Sequence, residues 1–178
     1  LESVIANSEV KLNDMLVGDK NALMIGTRIL GYGKEYWTNI TDPDTKEKVE
    51  HCVDLTTLKH KEVDSKLMEN GNKFEFELPN SKRVIEFKLL THKDEKDFNE
   101  EMKSYEKAEE LTGISMNLTT RLKYQIVSID GDTNKKTINN FIDNEFLALD
   151  SRAFRAHYDK VNPDIELKFD YTSQTGNV

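Results

Sequence analysis

Three groups of residues have the types and spacing that chemistry requires. The run Asp130-Gly131-Asp132-Thr133-Asn134 is oxygen-rich, like the opening of a calcium loop. An EF-hand loop starting at Asp130 needs glycine at its sixth position and a carboxylate at its twelfth. Lys135 and Phe141 stand there, so the run reads as a polar turn. Cys52 with His51 and His60 has the atoms of a metal site. Adjacent strand residues point to opposite faces, so His51 and Cys52 do not converge on one ion without a bulge. A structural zinc site also wants four ligands, and Cys52 reads as a small buried hydrophobe. Asp94, Glu95, Asp97, Glu100 and Glu101 lie on one helix whose other face is apolar. They read as a solvated face rather than an acid–base pair.

Nucleophilic catalysis needs Ser, Cys or Thr beside a base, on a strained turn or at an oxyanion hole. There is no Gly-x-Ser-x-Gly, no phosphate loop of the Gly-Lys-Ser/Thr type and no Gly-x-Gly-x-x-Gly. Gly31-Tyr32-Gly33 follows a helix, not a strand, and reads as a C-cap. No catalytic, metal or cofactor residue is assigned. The residues left are those that bind proteins. Arg152 and Arg155 share a face of a short helix near His157 and Lys160. They form either internal salt bridges to Asp143, Glu145 or Asp150, or a partner contact. Tyr32, Tyr36 and Trp37 are the densest aromatic group, as core or as exposed anchors.

These residues need elements to hold them. A helix is expected over 1–16, broken by Gly18. A second, over 20–32, is N-capped by Asp19 and closed by Gly31 and Gly33. Residues 35–40 and 48–55 form a hairpin around Thr41-Asp42-Pro43-Asp44-Thr45, where Pro presets φ and the Asp side chains bond nearby amides. Residues 59–72 are polar and end in the turn Asn70-Gly71-Asn72. In the next hairpin Phe74, Phe76 and Leu78 alternate with Lys73, Glu75 and Glu77. Pro79-Asn80-Ser81-Lys82 turns the chain, and Val84, Ile85, Phe87 and Leu89 return it. Phe74, Phe76, Val84 or Ile85, and Phe87 are expected in the core, with Glu75, Glu77 and Glu86 outside.

Thr91 and Asp94 resemble a capping box for a helix running to about Leu111, striped by Phe98, Met102, Tyr105 and Ala108 and ended by Gly113. Residues 118–129 read as a helix on Leu118, Leu122, Ile126 and Ile129, with a strand over 122–129 as the weaker alternative. Helices follow over 136–148 and over 151–161, the latter capped by Asp150 or Ser151. Ile165, Leu167 and Phe169 then alternate with Glu166, Lys168 and Asp170 as a last strand, which could still be running at Gly176-Asn177-Val178. Clustered strands and clustered helices argue α+β. We expect one α+β domain over 1–178, helices flanking antiparallel hairpins, with a hairpin extension at 35–57 and a C-terminal strand.

The 178 residues suit one domain with a sizeable core. Lys plus Arg is 25 and Asp plus Glu 33, giving a net charge of −8. An acidic surface repels phosphate, so nucleic acid is not an expected partner. Phe 8, Tyr 6 and Trp 1 argue against disorder. No apolar run approaches a membrane span. One cysteine, Cys52, forms no internal disulfide, which suits a reducing cytoplasm or a particle assembled in one. A start at Leu1 reads as truncation, at both ends of the chain.

The blocks Leu16-Val17-Gly18-Asp19-Lys20-Asn21-Ala22-Leu23 and Arg28-Ile29-Leu30-Gly31-Tyr32-Gly33-Lys34-Glu35-Tyr36 resemble an early segment of T4-type phage baseplate proteins. These are the hub and hub-assembly family of contractile-tailed phages. Later blocks are similar in the same order: Asp54-Leu55, Phe74–Leu78 with Pro79, and Phe87-Lys88-Leu89-Leu90-Thr91. Ile129-Asp130-Gly131, Asp150-Ser151-Arg152 with Arg155, and Pro163 follow. Their order and spacing carry the likeness across nearly the whole chain. Some members carry cysteine pairs in the first hairpin and near the end, suggesting metal. Here Asp42-Pro43-Asp44 and Tyr171-Thr172-Ser173-Gln174 stand in those places, so zinc is not carried over.

The resemblance implies a non-enzymatic structural or assembly protein of the tail baseplate. It would need no cofactor and bind other baseplate or tail proteins in a hetero-oligomeric assembly. It would reside in the virion, or in the host cytoplasm during assembly. The rivals are a bacterial adaptor or regulatory binding domain and, behind it, a metal-dependent hydrolase.

Overall fold

Strand alternation and turn chemistry build most of the sheets. In the computed structural model, which describes residues 5, 9–63, 68–69, 71–113 and 115–173, five α-helices accompany three small antiparallel sheets, an α+β fold. The side chains of 107–109 and 112 lie outside the described residues, and so do Val4, Asn70 and 174–178. The expected Ala108 contact and the run at Gly176-Asn177-Val178 are therefore not described. Where the sequence suggests one domain, the chain divides into two compact units, each discontinuous in sequence. One contains 18–62 and the segment from Pro163 on; the other contains 9–17 and 63–162.

The first unit holds nearly all of helix α1 (Val17–Tyr32), the hairpin β1 (Glu35–Thr41) with β2 (Lys48–Asp54), and the two-residue pair β3 (Lys59–His60) with β7 (Ile165–Glu166). Gly18 does not break a helix, as the sequence suggests. It lies in the first turn of α1, buried, with Asp19 inside that turn rather than capping it. The space is the reason: a Cβ on Gly18 would meet the Pro163 carbonyl oxygen at 1.7 Å. Gly33, with φ +84°, closes the helix by donating its N–H to Ile29 O at 2.9 Å.

The hairpin pairs Glu35 with Asp54 and Thr41 with Lys48 in unbroken register. Its turn rests on the buried Asp42, whose Oδ1 accepts the N–H of Asp44 (2.8 Å) and Thr45 (3.0 Å). Oδ2 accepts the Tyr171 hydroxyl at 2.7 Å, and Ser173 Oγ donates to Asp44 at 2.6 Å. His51 stacks on Phe169 and meets Tyr171 edge-on. The final segment is thus held to the hairpin by side chains, not as a strand. Leu167 and Phe169 alternate as a strand would, but both are exposed and only Ile165–Glu166 find a ladder partner.

The second unit is built on β4 (Phe74–Glu77), β5 (Val84–Phe87) and β6 (Ile126–Ile129), in that order. Phe74 faces Phe87 and Phe76 faces Ile85 on the apolar side, while Glu75–Glu86 and Glu77–Val84 pair on the other. Ile85 is therefore the core residue and Val84 is exposed. Phe76 is only half-buried, and so is Glu86, which accepts the Ser128 hydroxyl at 2.5 Å. Helix α2 (His92–Thr112) opens on the expected capping box. Asp94 Oδ2 accepts the Thr91 N–H at 3.0 Å, and Thr91 Oγ1 accepts the Asp94 N–H at 3.3 Å.

The region 118–129 divides into helix α3 (Asn117–Gln125) and strand β6, because β5 supplies a pairing partner from Ile126 onward. Helix α4 (Lys135–Asn140), capped by Asn134, runs into a wide turn over Phe141–Glu145, so it stops short of 148. Helix α5 (Ala148–Val161) completes the unit. The expected helix over 1–16 fails where it is described: 12–14 form a single 3₁₀ turn, and Leu16 bridges Thr91. The core gathers Leu78, Ile85, Phe87, Leu89, Ile129, Phe141 and Phe154, all nearly inaccessible.

Asp150 and Ser151 do not cap α5, whose N-cap is Leu147. Asp150 is buried and instead caps the turn after β4. Its Oδ1 accepts from Asn80 N (2.8 Å) and Nδ2 (2.9 Å), and Oδ2 from Ser81 N (3.0 Å). Burial pushes this carboxyl up, and the Asn80 and Ser81 donors more than offset it, so it sits below its ordinary 3.8. A depressed carboxyl stabilises the fold above its unfolded value and loses that contribution as pH falls below 3.8. Asp150→Asn should lower Tm at pH 7 and flatten the decline in stability below pH 3.8. Thermal melts of both proteins from pH 7 to 3 check this; parallel curves would contradict it.

Candidate protein-binding surfaces

Four of the acidic residues with catalytic potential are held in hydrogen bonds that shape turns and helices. Asp130 Oδ1 accepts the Val84 N–H at 2.9 Å and Oδ2 the Arg83 Nε at 2.8 Å. Asp132 accepts the Asn134 N–H at 2.8 Å. The calcium-like run is thus a turn, with Asp130 and Gly131 both at positive φ. On α2, Glu101 accepts the hydroxyls of Tyr105 (3.0 Å) and Tyr124 (2.9 Å). Burial and the Glu101 bond push Tyr124 up to about 12. Asp94 also binds Lys88 at 2.7 Å, so two of the five acids expected on a solvated face support the fold. Cys52 is half-buried rather than buried. No group of three or more His, Cys, Asp or Glu capable of holding a metal occurs among the described residues. None of their helices is long and apolar enough to cross a membrane.

In the first unit, the corner where α1 ends and β1 begins exposes its apolar groups. Leu30 is 90% exposed, Tyr32 82%, Trp37 59% and Tyr36 45%. The aromatics are surface, not core. Arg28, missed in the sequence, organises two of them, Tyr32 and Tyr36. Its guanidinium lies 5.0 Å from the Tyr32 ring centroid and 5.9 Å from that of Tyr36. It also donates to Gly33 O (3.2 Å) and Glu35 O (3.3 Å), tying helix end to strand start. The i, i+4 spacing of Arg28 and Tyr32 was the available signal. Trp37 is one strand residue on from Tyr36, so it projects to the opposite face of the hairpin.

In the second unit, Arg152 and Arg155 are exposed on α5. None of their three expected internal partners takes them. Asp143 pairs with Lys123 at 2.7 Å, Glu145 with Arg83 at 3.1 Å, and Asp150 bonds Asn80 and Ser81. Arg155 Nε reaches only the Ser151 carbonyl, at 3.4 Å. His157, on the same helix, is turned inward. It stacks on Phe76 with centroids 4.5 Å apart, and burial, then Lys160, holds its pKa below 6.5. The structure therefore brings Tyr32 and Tyr36 together, and places Arg152 and Arg155 in the other unit. Compared with family models, curated proteins and solved structures, the chain matches none.

Proposed function

We propose that the chain is a non-enzymatic structural or assembly protein of a contractile phage tail baseplate, a hub component or hub-assembly factor that works by protein–protein contacts. It acts in the virion or in the host cytoplasm while the tail is built, bound to other baseplate or tail proteins. The observation that carries this reading is the exposed pair Tyr32 and Tyr36 around Arg28, with Leu30 and Trp37 exposed on the neighbouring faces. Exposed large aromatics beside an arginine have the composition of binding hot spots, and singly scattered apolar residues do not. The ordered resemblance to baseplate hub blocks selects the class of partner.

Co-expression with the tube, wedge and hub proteins of a contractile tail, followed by affinity capture and size-exclusion chromatography, tests it. A stable complex with one of them is expected, weakened by about 2 kcal/mol or more in Tyr32→Ala with Tyr36→Ala. These substitutions should leave the melting temperature nearly unchanged, since exposed sites contribute little to stability. Capture of no tail protein would overturn the reading.

A further inference from the structure

We propose that the outer face of α5 is a docking site for an acidic amphipathic segment of a partner protein, with Arg152 and Arg155 as its charged anchors. This rests on the protein-binding reading above and names the chemistry of one partner.

The chain has five arginines. Arg28 is held by Gly33, Glu35 and two tyrosine rings. Arg83 binds Asp130 and Glu145 and covers the Phe141 ring at 4.7 Å, and Arg121 covers Phe98 at 4.8 Å. Arg152 and Arg155 remain, and among the described residues neither forms an ion pair. Two exposed guanidiniums that form no ion pair among the described residues are a local positive site in a chain of net charge −8.

Their neighbours limit the ligand further. Leu149 lies three residues before Arg152, on the same face, and is 66% exposed; Leu147, just before the helix, is exposed too. Guanidinium forks fit carboxylates in bidentate pairs, and the leucines want an apolar side chain across from them. A segment carrying Glu or Asp beside a hydrophobic residue supplies both. A phosphodiester backbone offers the charge without the apolar group, and the net charge of −8 opposes it over a longer range.

The test uses two synthetic amphipathic helices, each with a Leu stripe, one flanked by Glu and one by Lys, titrated against the whole protein by fluorescence anisotropy at low salt. Net charge alone favours the Lys peptide. The proposal expects the Glu peptide to bind about tenfold or more tighter, a preference that weakens with salt. Arg152→Glu with Arg155→Glu should reverse it. Arg152→Lys with Arg155→Lys should give an intermediate loss, because charge survives and the fork does not. Leu149→Ser should weaken the Glu peptide without changing the salt dependence.

A wild-type preference for the Lys peptide, tighter binding of oligouridylate, or a charge reversal without effect would overturn the proposal. If the reversed protein does not fold by circular dichroism, Arg152→Gln with Arg155→Gln decides the same question. A variant that loses the Glu peptide yet still assembles with tail proteins overturns this site's role as the docking site and leaves the functional reading standing.

Discussion

Gly18→Ala is expected to unfold the protein or to cost more than about 3 kcal/mol, although alanine is the better helix former. In an open helix interior the exchange gains about 0.5–1 kcal/mol. At Gly18 the new Cβ would stand 1.7 Å from the Pro163 carbonyl oxygen, 2.5 Å from its carbon and 3.1 Å from Asp164 Cα. These are backbone atoms, and they are anchored. Asp164 O accepts the Lys61 N–H at 2.9 Å, and Asp164 Oδ1 accepts from Asn21 Nδ2 at 3.2 Å. Relieving the overlap means separating α1 from this segment, which exceeds ordinary overpacking costs. Gly26, on the same helix with nothing within 4 Å of its would-be Cβ, is the control. Gly26→Ala should stabilise. Urea titrations of the two variants should thus move in opposite directions, and a Gly18→Ala protein as stable as wild type would refute the close approach.

Phe87→Ala should cost about 3–5 kcal/mol, the range for a fully buried phenylalanine. Phe87 is inaccessible and meets four rings. Phe74 stacks on it at 5.2 Å, Phe154 meets it edge-on at 5.2 Å, and His157 and Tyr158 lie at 5.7 and 5.9 Å. Phe76, on the same side of the sheet, is half-buried and touches Phe154 and His157. Phe76→Ala should cost about 1–2 kcal/mol, because less area returns to water and less cavity remains. Equal losses for the two would show that the sheet's burial gradient is misplaced.

What the sequence makes legible is what neighbours in sequence decide. The Asp42 turn, the alternation from Phe74 to Leu89 and the Thr91–Asp94 box each involve groups a few residues apart, and the structure contains all three. What it hides is decided at long range. Gly18 looks like a breaker until Pro163 occupies the space its missing side chain leaves. Residues 126–129 carry a helical stripe and become a strand because β5 offers them hydrogen bonds. Asp150 has the look of a helix cap but faces Asn80 and Ser81. The binding surfaces follow the same division. The spacing of Arg152 and Arg155 is visible directly, whereas their lack of internal partners depends on Lys123 and Arg83 taking Asp143 and Glu145. Exposure of Tyr32 and Trp37 is likewise a property of the folded chain.

The pairing of β3 with β7 joins Lys59 to Glu166 and His60 to Ile165. On the ribosome these partners emerge far apart in time. The separation between Lys59 and Glu166 is 166 − 59 = 107 residues. At about 5–20 residues per second, Lys59 waits roughly 5–20 s for its partner. Throughout that interval Gly18 also lacks the Pro163 carbonyl it is shaped to receive, while every residue of the 63–162 stretch is made. The first unit is begun before the 63–162 stretch and completed only after it, and the nascent chain carries an unpaired strand edge through that interval. Such an edge invites pairing with other chains. A chain released after residue 162 should therefore produce more aggregate than one released after residue 173.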